Sequence, residues 1–224
     1  MAELWRETVL VAGKDLRIEL RSRVGAQQVA PFALVVLVLF GLAFDANQTL
    51  LRQAAPGLFW VAVTFAGVLA VQRAFGVEAA DGARDGLRLS GMDPAGIFLG
   101  KAAALIVQLL VLQVVLAVVM AVLFTSQLHD PAVLVVTALV ATIGLAAAGT
   151  LYGIVAASLR VRETLLPLLL LPVLAPVLLA ATRAWSDALT NAPGAWGWMR
   201  VIGVFAVVYV AAGVLAFGSL QEDA

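Results

Sequence analysis

Few residues in this chain have the chemistry of a catalytic or metal-binding site. There is one histidine, His129, and there is no cysteine. A lone imidazole with no second ligand at a helical spacing is typical of a polar loop residue, so we predict no metal or haem ligand there. Ser158 and Tyr152 lack a neighbouring base or paired carboxylates that could activate them. We therefore expect no catalytic residue and no metal site.

Nucleotide binding through a phosphate loop is also excluded. No G-x-x-x-x-G-K-[ST] pattern occurs, because the Gly-Lys pairs at 13–14 and 100–101 are followed by Asp and Ala. The absence of thiols removes thiol catalysis, disulfides and thiolate metal sites as well. Any energy from nucleotide hydrolysis must then reach this chain through a partner protein.

The segment Arg73–Lys101 combines paired charges with an apolar end. Asp precedes Arg at a three-residue spacing twice, at positions 81 and 84 and at 85 and 88, which favours a short helix. Leu87, Leu89 and Met92 follow where this helix would meet a Gly- and Pro-containing turn. Exposed apolar side chains there are costly unless another protein covers them, so the pattern predicts a docking surface. In the alternative interpretation the segment is a solvated loop whose leucines fold back on the rest of the chain.

The composition as a whole indicates an integral membrane protein. The 224 residues are 63% hydrophobic and 12% charged, with a mean hydropathy of +1.04, against roughly 45–50% apolar residues in soluble domains. The formal net charge is zero, which gives no reason to expect a nucleic-acid partner. The first 28 residues carry charges throughout and no apolar stretch, so we predict no cleaved signal peptide.

Six apolar runs predict six membrane spans, because a hydrocarbon core about 30 Å thick needs roughly 20 apolar residues in a helix. They are Val29–Phe44, Gly57–Phe75, Ala102–Phe124, Val133–Ser158, Thr164–Thr182 and Val201–Gly218. The first covers only about 24 Å, so we expect it to start before Pro31 or to thin the bilayer. The predicted fold is an all-α polytopic membrane protein with an amphipathic helix over 1–28, a six-helix domain over 29–218 and a tail over 219–224.

Basic residues predict how these spans are oriented. Eleven Lys and Arg residues lie on the side of the amino terminus and three, Arg52, Arg183 and Arg200, on the other. The positive-inside rule makes the first side cytoplasmic, which places both termini in the cytoplasm.

The residues before the first span have the pattern of an interfacial helix. Trp5, Val9, Ala12, Leu16 and Leu20 recur at spacings of three and four, while the basic residues fall on a different face. Such a helix can sink its apolar stripe into the cytoplasmic leaflet while its basic side meets anionic headgroups. The alternative is an ordinary amphipathic helix that packs on protein.

Prolines and glycines mark two of the spans. Pro167, Pro172 and Pro176 lie in the fifth span, where each removes a backbone donor and favours a bend, so we predict a bent or segmented helix. A static kink and a moving hinge remain equally open. Gly149 and Gly153 in the fourth span permit close helix contact, for which packing within the chain is favoured over a subunit interface.

Tryptophans concentrate between the fifth and sixth spans, on the outer side. Trp185, Trp196 and Trp198 lie there among Pro and Gly residues. An aromatic belt at the membrane interface explains them without any ligand. A short helix that partly re-enters the outer leaflet is the alternative.

Four stretches together resemble one known family. They are KDLRIELRSR at 14–23, PGLFW at 56–60, GLRLS at 86–90 leading to LGK at 99–101, and the proline series from Glu163 to Pro176. These stretches and the six-span length are similar to CcmB, the ABC-2 type permease subunit of the cytochrome c maturation ABC transporter of the bacterial inner membrane.

The resemblance implies partners and a coupling loop at 76–100. The partners would be two copies of the ATPase CcmA, which binds the ATP, a second copy of this chain, CcmC and CcmD, and functionally CcmE. The residues implied to contact the ATPase are Glu78, Arg84, Leu87, Leu89, Ser90 and Met92. The implied function is haem export, or ATP-driven release of the haem-loaded chaperone CcmE at the periplasmic face. A non-transporting scaffold for a haem-handling complex is the alternative.

Overall fold

The computed structural model describes residues 2–22, 30–43, 48–80, 91–124, 130–157 and 162–223. Every regular element in those ranges is an α-helix, which confirms the predicted all-α class. The helices are α1 (Ala2–Ser22), α2 (Ala30–Ala43), α3 (Gln48–Ala80), α4 (Pro94–Phe124), α5 (Pro131–Ala157), α6 (Arg162–Thr190) and α7 (Ala195–Asp223).

Five of these helices, α3 to α7, are long and apolar enough to cross a membrane. The remaining predicted span corresponds to α2, which starts just before Pro31, at Ala30. Its 14 residues measure about 21 Å, less than a hydrocarbon core of about 30 Å. By length, therefore, five spans are found where six were predicted.

The contacts of the other helices nevertheless require α2 to connect opposite ends of the bundle. α1 packs beside the start of α4, and Gly218 near the end of α7 also lies beside Pro94. The last turns of α3 reach the same end, where Arg73 pairs with Glu19 of α1. We call this end the α1 end. Because α3 ends there, it starts at the opposite end, and α2 is the helix that precedes it in the chain.

The helices run past the apolar spans predicted from the sequence. α3 continues from the predicted limit at Phe75 to Ala80, and α4 starts at Pro94 rather than at Ala102. Hydropathy marks the part of a helix that lipid surrounds, whereas a helix stops only where its backbone hydrogen bonds stop. The loop predicted over 76–100 is consequently helical at both of its ends.

Small residues bring α3 and α5 into close contact. A Cβ atom added at Gly153 would lie 2.4 Å from a ring carbon of Phe75, and one at Gly149 would lie 2.7 Å from a methyl group of Val71. The side chain of Leu145 fills the space beside Gly67 in the same way. The glycine pair of the fourth predicted span therefore serves packing within the chain, as favoured from the sequence.

The tryptophans near the far end do not form one belt. Trp185 is buried, and its ring stacks on Phe59 with centroids 4.3 Å apart while its edge meets Trp60 at 5.5 Å. Trp196 and Trp198 are exposed, as a belt requires. The aromatic-belt interpretation of Trp185 was wrong, because the rotation of α6 turns this residue toward α3.

No separate helix lies between α6 and α7, and the structure describes every residue from 162 to 223. α6 continues to Thr190, a turn follows, and α7 starts at Ala195. The turn uses two left-handed residues, Asn191 and Gly194, with φ of 55° and 131°. The alternative of a short re-entrant helix between the two spans is therefore wrong.

The three prolines of the fifth predicted span all lie inside α6. The helix is continuous from Arg162 to Thr190 around Pro167, Pro172 and Pro176. A segmented helix is thereby ruled out.

Candidate functional site

Most residues of the predicted docking surface lie in the part of the chain that the structure does not describe. Arg84, Leu87, Leu89 and Ser90 fall outside the described residues. Glu78 lies in the last turns of α3. His129 and Leu128 are likewise outside the described residues.

Met92 departs from the expectation of an exposed docking residue. Its side chain is half-buried and packs against the hydrophobic core. The preceding Gly91 has a φ of 68°, a left-handed conformation that glycine adopts without steric cost. This turn directs the chain onto the bundle before α4 begins. The contact of Met92 with the core therefore helps to hold the residues that precede α4.

The described part of the site is the pair of helix ends that flank residues 81–90. We call residues 73–80 of α3 and 94–101 of α4 the two stems. The start of the second stem is capped by Asp93, whose carboxylate accepts a hydrogen bond from the amide of Ala95 at 2.9 Å. Pro94 follows at the first helical position, where its missing N–H costs nothing. The start of α4 is therefore set by its own sequence.

α1 lies directly on the second stem because two glycines there leave room for it. A Cβ atom at Gly100 would be 2.6 Å from the Cβ of Val11 and 2.8 Å from the carbonyl oxygen of Thr8. At Gly96 it would be 2.9 Å from a carboxylate oxygen of Glu7. The Gly-x-x-x-Gly spacing at 96–100 thus acts as a seat for α1.

A buried lysine joins α1 to both stems. The side chain of Lys101 is only 3% exposed, and its ammonium group lies 3.5 Å from the carboxylate of Asp15. The same ammonium lies 4.9 Å from the centre of the Phe75 ring on α3. A buried cation needs both a counter-charge and further favourable contacts, and these two partners come from different helices.

A second ion pair ties α1 to the first stem. The guanidinium of Arg73 lies 3.1 Å from the carboxylate of Glu19, with a hydrogen bond between them. Glu7 makes a further contact, because its carboxylate accepts the backbone N–H of Asp93 at 3.1 Å. The acidic side of α1 therefore holds the stems on both sides of residues 81–90.

The opposite side of α1 carries the apolar and basic residues expected of a helix that contacts a membrane surface. Trp5, Val9 and Leu20 of the predicted apolar stripe are exposed. Arg17 and Arg21 are exposed beside them. One face of this helix packs on protein, as the alternative interpretation held, and contact of the exposed face with lipid stays a prediction.

Sequence reasoning did not assign Asp15, Glu19, Gly96 or Gly100 to the site. The Gly-x-x-x-Gly spacing at 96–100 was the available signal for the seat of α1. No pattern could have paired Asp15 with Lys101, because helix rotation and crossing decide that contact.

The described residues at the α1 end connect α1 to the two stems. They contain no group of three or more His, Asp or Glu residues that could hold a metal ion. The charged side chains that the structure brings together at the α1 end are engaged with each other across helices. What this arrangement can do is transmit a displacement of one stem to the other and to α1.

Comparison with known proteins identifies the family. A model of the CcmB protein family matches residues 6–221 of this chain. Heme exporter protein B of Haemophilus influenzae is 27% identical over 194 residues, 87% of each chain. The proteins of the same name from Pseudomonas aeruginosa and Rhodobacter capsulatus are 28% and 29% identical over 82% and 74% of this chain, and over 82% and 76% of their own lengths. This chain, an integral membrane bundle, belongs to the CcmB family.

Proposed function

We propose that this chain is the transmembrane permease subunit of an ABC transporter that serves cytochrome c maturation. Its family membership and the name of its relatives, Heme exporter protein B, support this role. The five long apolar helices support a bundle that spans the bacterial inner membrane. By the positive-inside rule, the α1 end faces the cytoplasm together with both termini.

The observation that carries the mechanism is the attachment of α1 to both stems. Residues 81–90 connect the stems, and Arg84, Leu87, Leu89 and Ser90 are the residues we assign to contact with a CcmA-type ATPase. Movement of the ATPase on ATP binding would displace the stems, and the ion pairs of Lys101 and Arg73 would carry α1 with them. Two ATPase copies and a second copy of this chain would complete the transporter.

The chain itself is then a non-enzymatic subunit. It has no phosphate loop in its sequence, so ATP is bound by the partner. CcmC and CcmD would be its membrane partners, and CcmE its functional one.

The chemistry of the spans favours release of the haem-loaded chaperone CcmE over passage of haem through this subunit. Haem in transit needs axial ligands such as His, Met or Tyr near its path. Met120 is buried in the core of the bundle, and Tyr152 is half-buried against it.

Co-purification with the ATPase tests this function. Leu87→Asp and Leu89→Asp each place a charge on the surface proposed to contact CcmA, so both should abolish co-purification and c-type cytochrome production while membrane insertion persists. Leu128→Asp, which changes a loop leucine predicted on the opposite side, is the matched control. Normal co-purification of both docking variants would contradict the docking role.

An ATPase-inactive partner separates a permease from a scaffold. A scaffold for a haem-handling complex keeps its function when hydrolysis stops, whereas a permease that transmits motion loses it. We expect loss of c-type cytochromes, measured by haem staining, with the complex still assembled.

A further inference from the structure

A hydrogen bond joins α7 to α6 near the middle of both helices. The hydroxyl of Tyr209 on α7 donates to the backbone carbonyl oxygen of Val173 on α6, at 2.5 Å. Hydrogen bonds from polar side chains across helices help to join the helices of membrane bundles. The acceptor here lies between two prolines of α6.

Val173 lies in the turn of α6 between Pro172 and Pro176. In an α-helix, Pro176 would supply the donor for the carbonyl of residue 172, and Pro172 the donor for that of Leu168. Neither proline has an N–H, and the ring of Pro176 pushes away the carbonyl in front of it. The helical donor for Val173 is Val177, directly after Pro176, so the carbonyl of Val173 lies next to the one that Pro176 leaves without a donor. Tyr209 adds a donor at that point.

The surroundings of Tyr209 hold it in place. The Phe205 ring, one turn earlier on α7, lies with its centroid 5.9 Å from that of Tyr209. On α6, Leu170, Leu174 and Val177 are fully buried, so the inner face of the helix is closely packed on both sides of the disrupted turn. Water is absent from a bilayer core and cannot replace a lost donor there. The hydroxyl of Tyr209 therefore joins α7 to this turn at a place where water cannot substitute for it.

We propose that the Pro172–Pro176 turn of α6 is a hinge and that Tyr209 is the latch that holds it in the conformation described here. With the bond made, the half of α6 toward the α1 end keeps its angle to α7. With the bond broken, that half swings, while the far halves of α6 and α7 stay joined by their short turn at 191–194. The use of this hinge in a transport cycle rests on the proposed function, but its existence does not.

Distance measurements on the purified full-length chain test the hinge. The chain has no cysteine, so pairs of spin labels can be placed on introduced cysteines without background. Leu168 and Leu215, which are 67% and 83% exposed, report on the α1-end halves of α6 and α7, and Leu179 with Val204 reports on the far halves. Tyr209→Phe removes only the hydroxyl. We expect it to raise the population of a second Leu168–Leu215 distance by about threefold, the typical effect of one interhelical hydrogen bond in a membrane.

Two further variants separate a latch from a general loss of stability. Pro176→Ala restores an N–H and removes the ring clash, so in that background Tyr209→Phe should leave the distances unchanged. Thr150→Val deletes a buried hydroxyl that donates within its own helix, to the carbonyl oxygen of Ala146 at 2.8 Å, and it should leave the distances unchanged.

The proposal is overturned if Tyr209→Phe leaves the Leu168–Leu215 distances as in the natural chain. It is equally overturned if the shift persists undiminished with Pro176→Ala, or if the Leu179–Val204 pair shifts as much. Because these measurements need no ATPase, normal co-purification of the two docking variants would contradict the proposed function and leave the hinge standing.

Discussion

Lys101 is the residue whose environment most constrains this protein. Its ammonium is almost fully buried at the α1 end, between the carboxylate of Asp15 and the face of Phe75. A buried ion pair adds little net stability relative to apolar residues, but removal of one partner strands the other charge. The sequence shows a lysine at a span boundary, and only the fold shows that it ties three helices together.

Asp15→Asn should therefore destabilise the bundle strongly. It removes the carboxylate charge that lies 3.5 Å from the buried ammonium, at a cost of about 3–5 kcal/mol, seen as a lower midpoint of thermal unfolding in detergent. Lys14→Met removes the other cation beside Asp15, at 3.2 Å, but Lys14 is more than a third exposed, so this control should cost less than about 1 kcal/mol. Equal effects of the two variants would contradict the burial argument. Replacement of both Asp15 and Lys101 by Leu and Met should recover most of the loss.

Helix packing depends on a few glycines at contacts between elements. Gly149 and Gly153 of α5 face Val71 and Phe75 of α3 at distances that no side chain could occupy. Gly203 on α7, in contrast, has nothing within 4 Å of where a Cβ would be. The same residue type therefore has opposite roles in two helices of one bundle.

Gly153→Ala should destabilise the protein by about 1–3 kcal/mol, because the added methyl group would overlap the buried Phe75 ring. Gly203→Ala should leave stability unchanged or raise it by up to about 1 kcal/mol, since alanine favours a helix. Thermal unfolding of the two variants side by side makes this comparison. A loss for Gly203→Ala as large as that for Gly153→Ala would show that overlap with Phe75 does not decide the effect.

At the scale of the whole molecule, the number of membrane crossings depends on α2. Its 14 residues fall short of a bilayer core, yet α1 and the end of α7 lie at the same end while α3 starts at the other. That connectivity requires a crossing between α1 and α3, and the basic-residue count independently predicts an even number of crossings. Local thinning of the bilayer accommodates a short helix at modest cost.

Reporter fusions test this topology. Fluorescent reporters that fold only in the cytoplasm should be bright at both the amino and the carboxyl terminus, and a reporter placed after α2, at residue 46, should be dark. Fusions after residue 85 serve as the bright control. A bright reporter at residue 46 would mean that α2 does not cross.

The sequence predicted the large-scale features well because they depend on residue type alone. The membrane class and the apolar spans follow from hydropathy. The expected bend in the fifth span follows from the missing N–H of its three prolines. It failed where orientation around a helix axis matters: Trp185 has the residue type of a belt but faces the interior. Met92, which has the residue type of a docking contact, is half-buried against the core, and its contact with a partner stays a prediction.

Sequence alone thus determined that this chain spans a membrane with nearly uncharged helices, that it lacks a phosphate loop, and that its fifth span contains three prolines. Tertiary structure alone decided that Asp15 and Glu19 hold the two stems, that Gly96 and Gly100 seat α1, and that Tyr209 reaches Val173. The physical reason is the distance along the chain over which each property acts. Hydropathy and backbone donors are properties of neighbouring residues, whereas these contacts join residues far apart in the chain and exist only once the helices have packed at particular rotations.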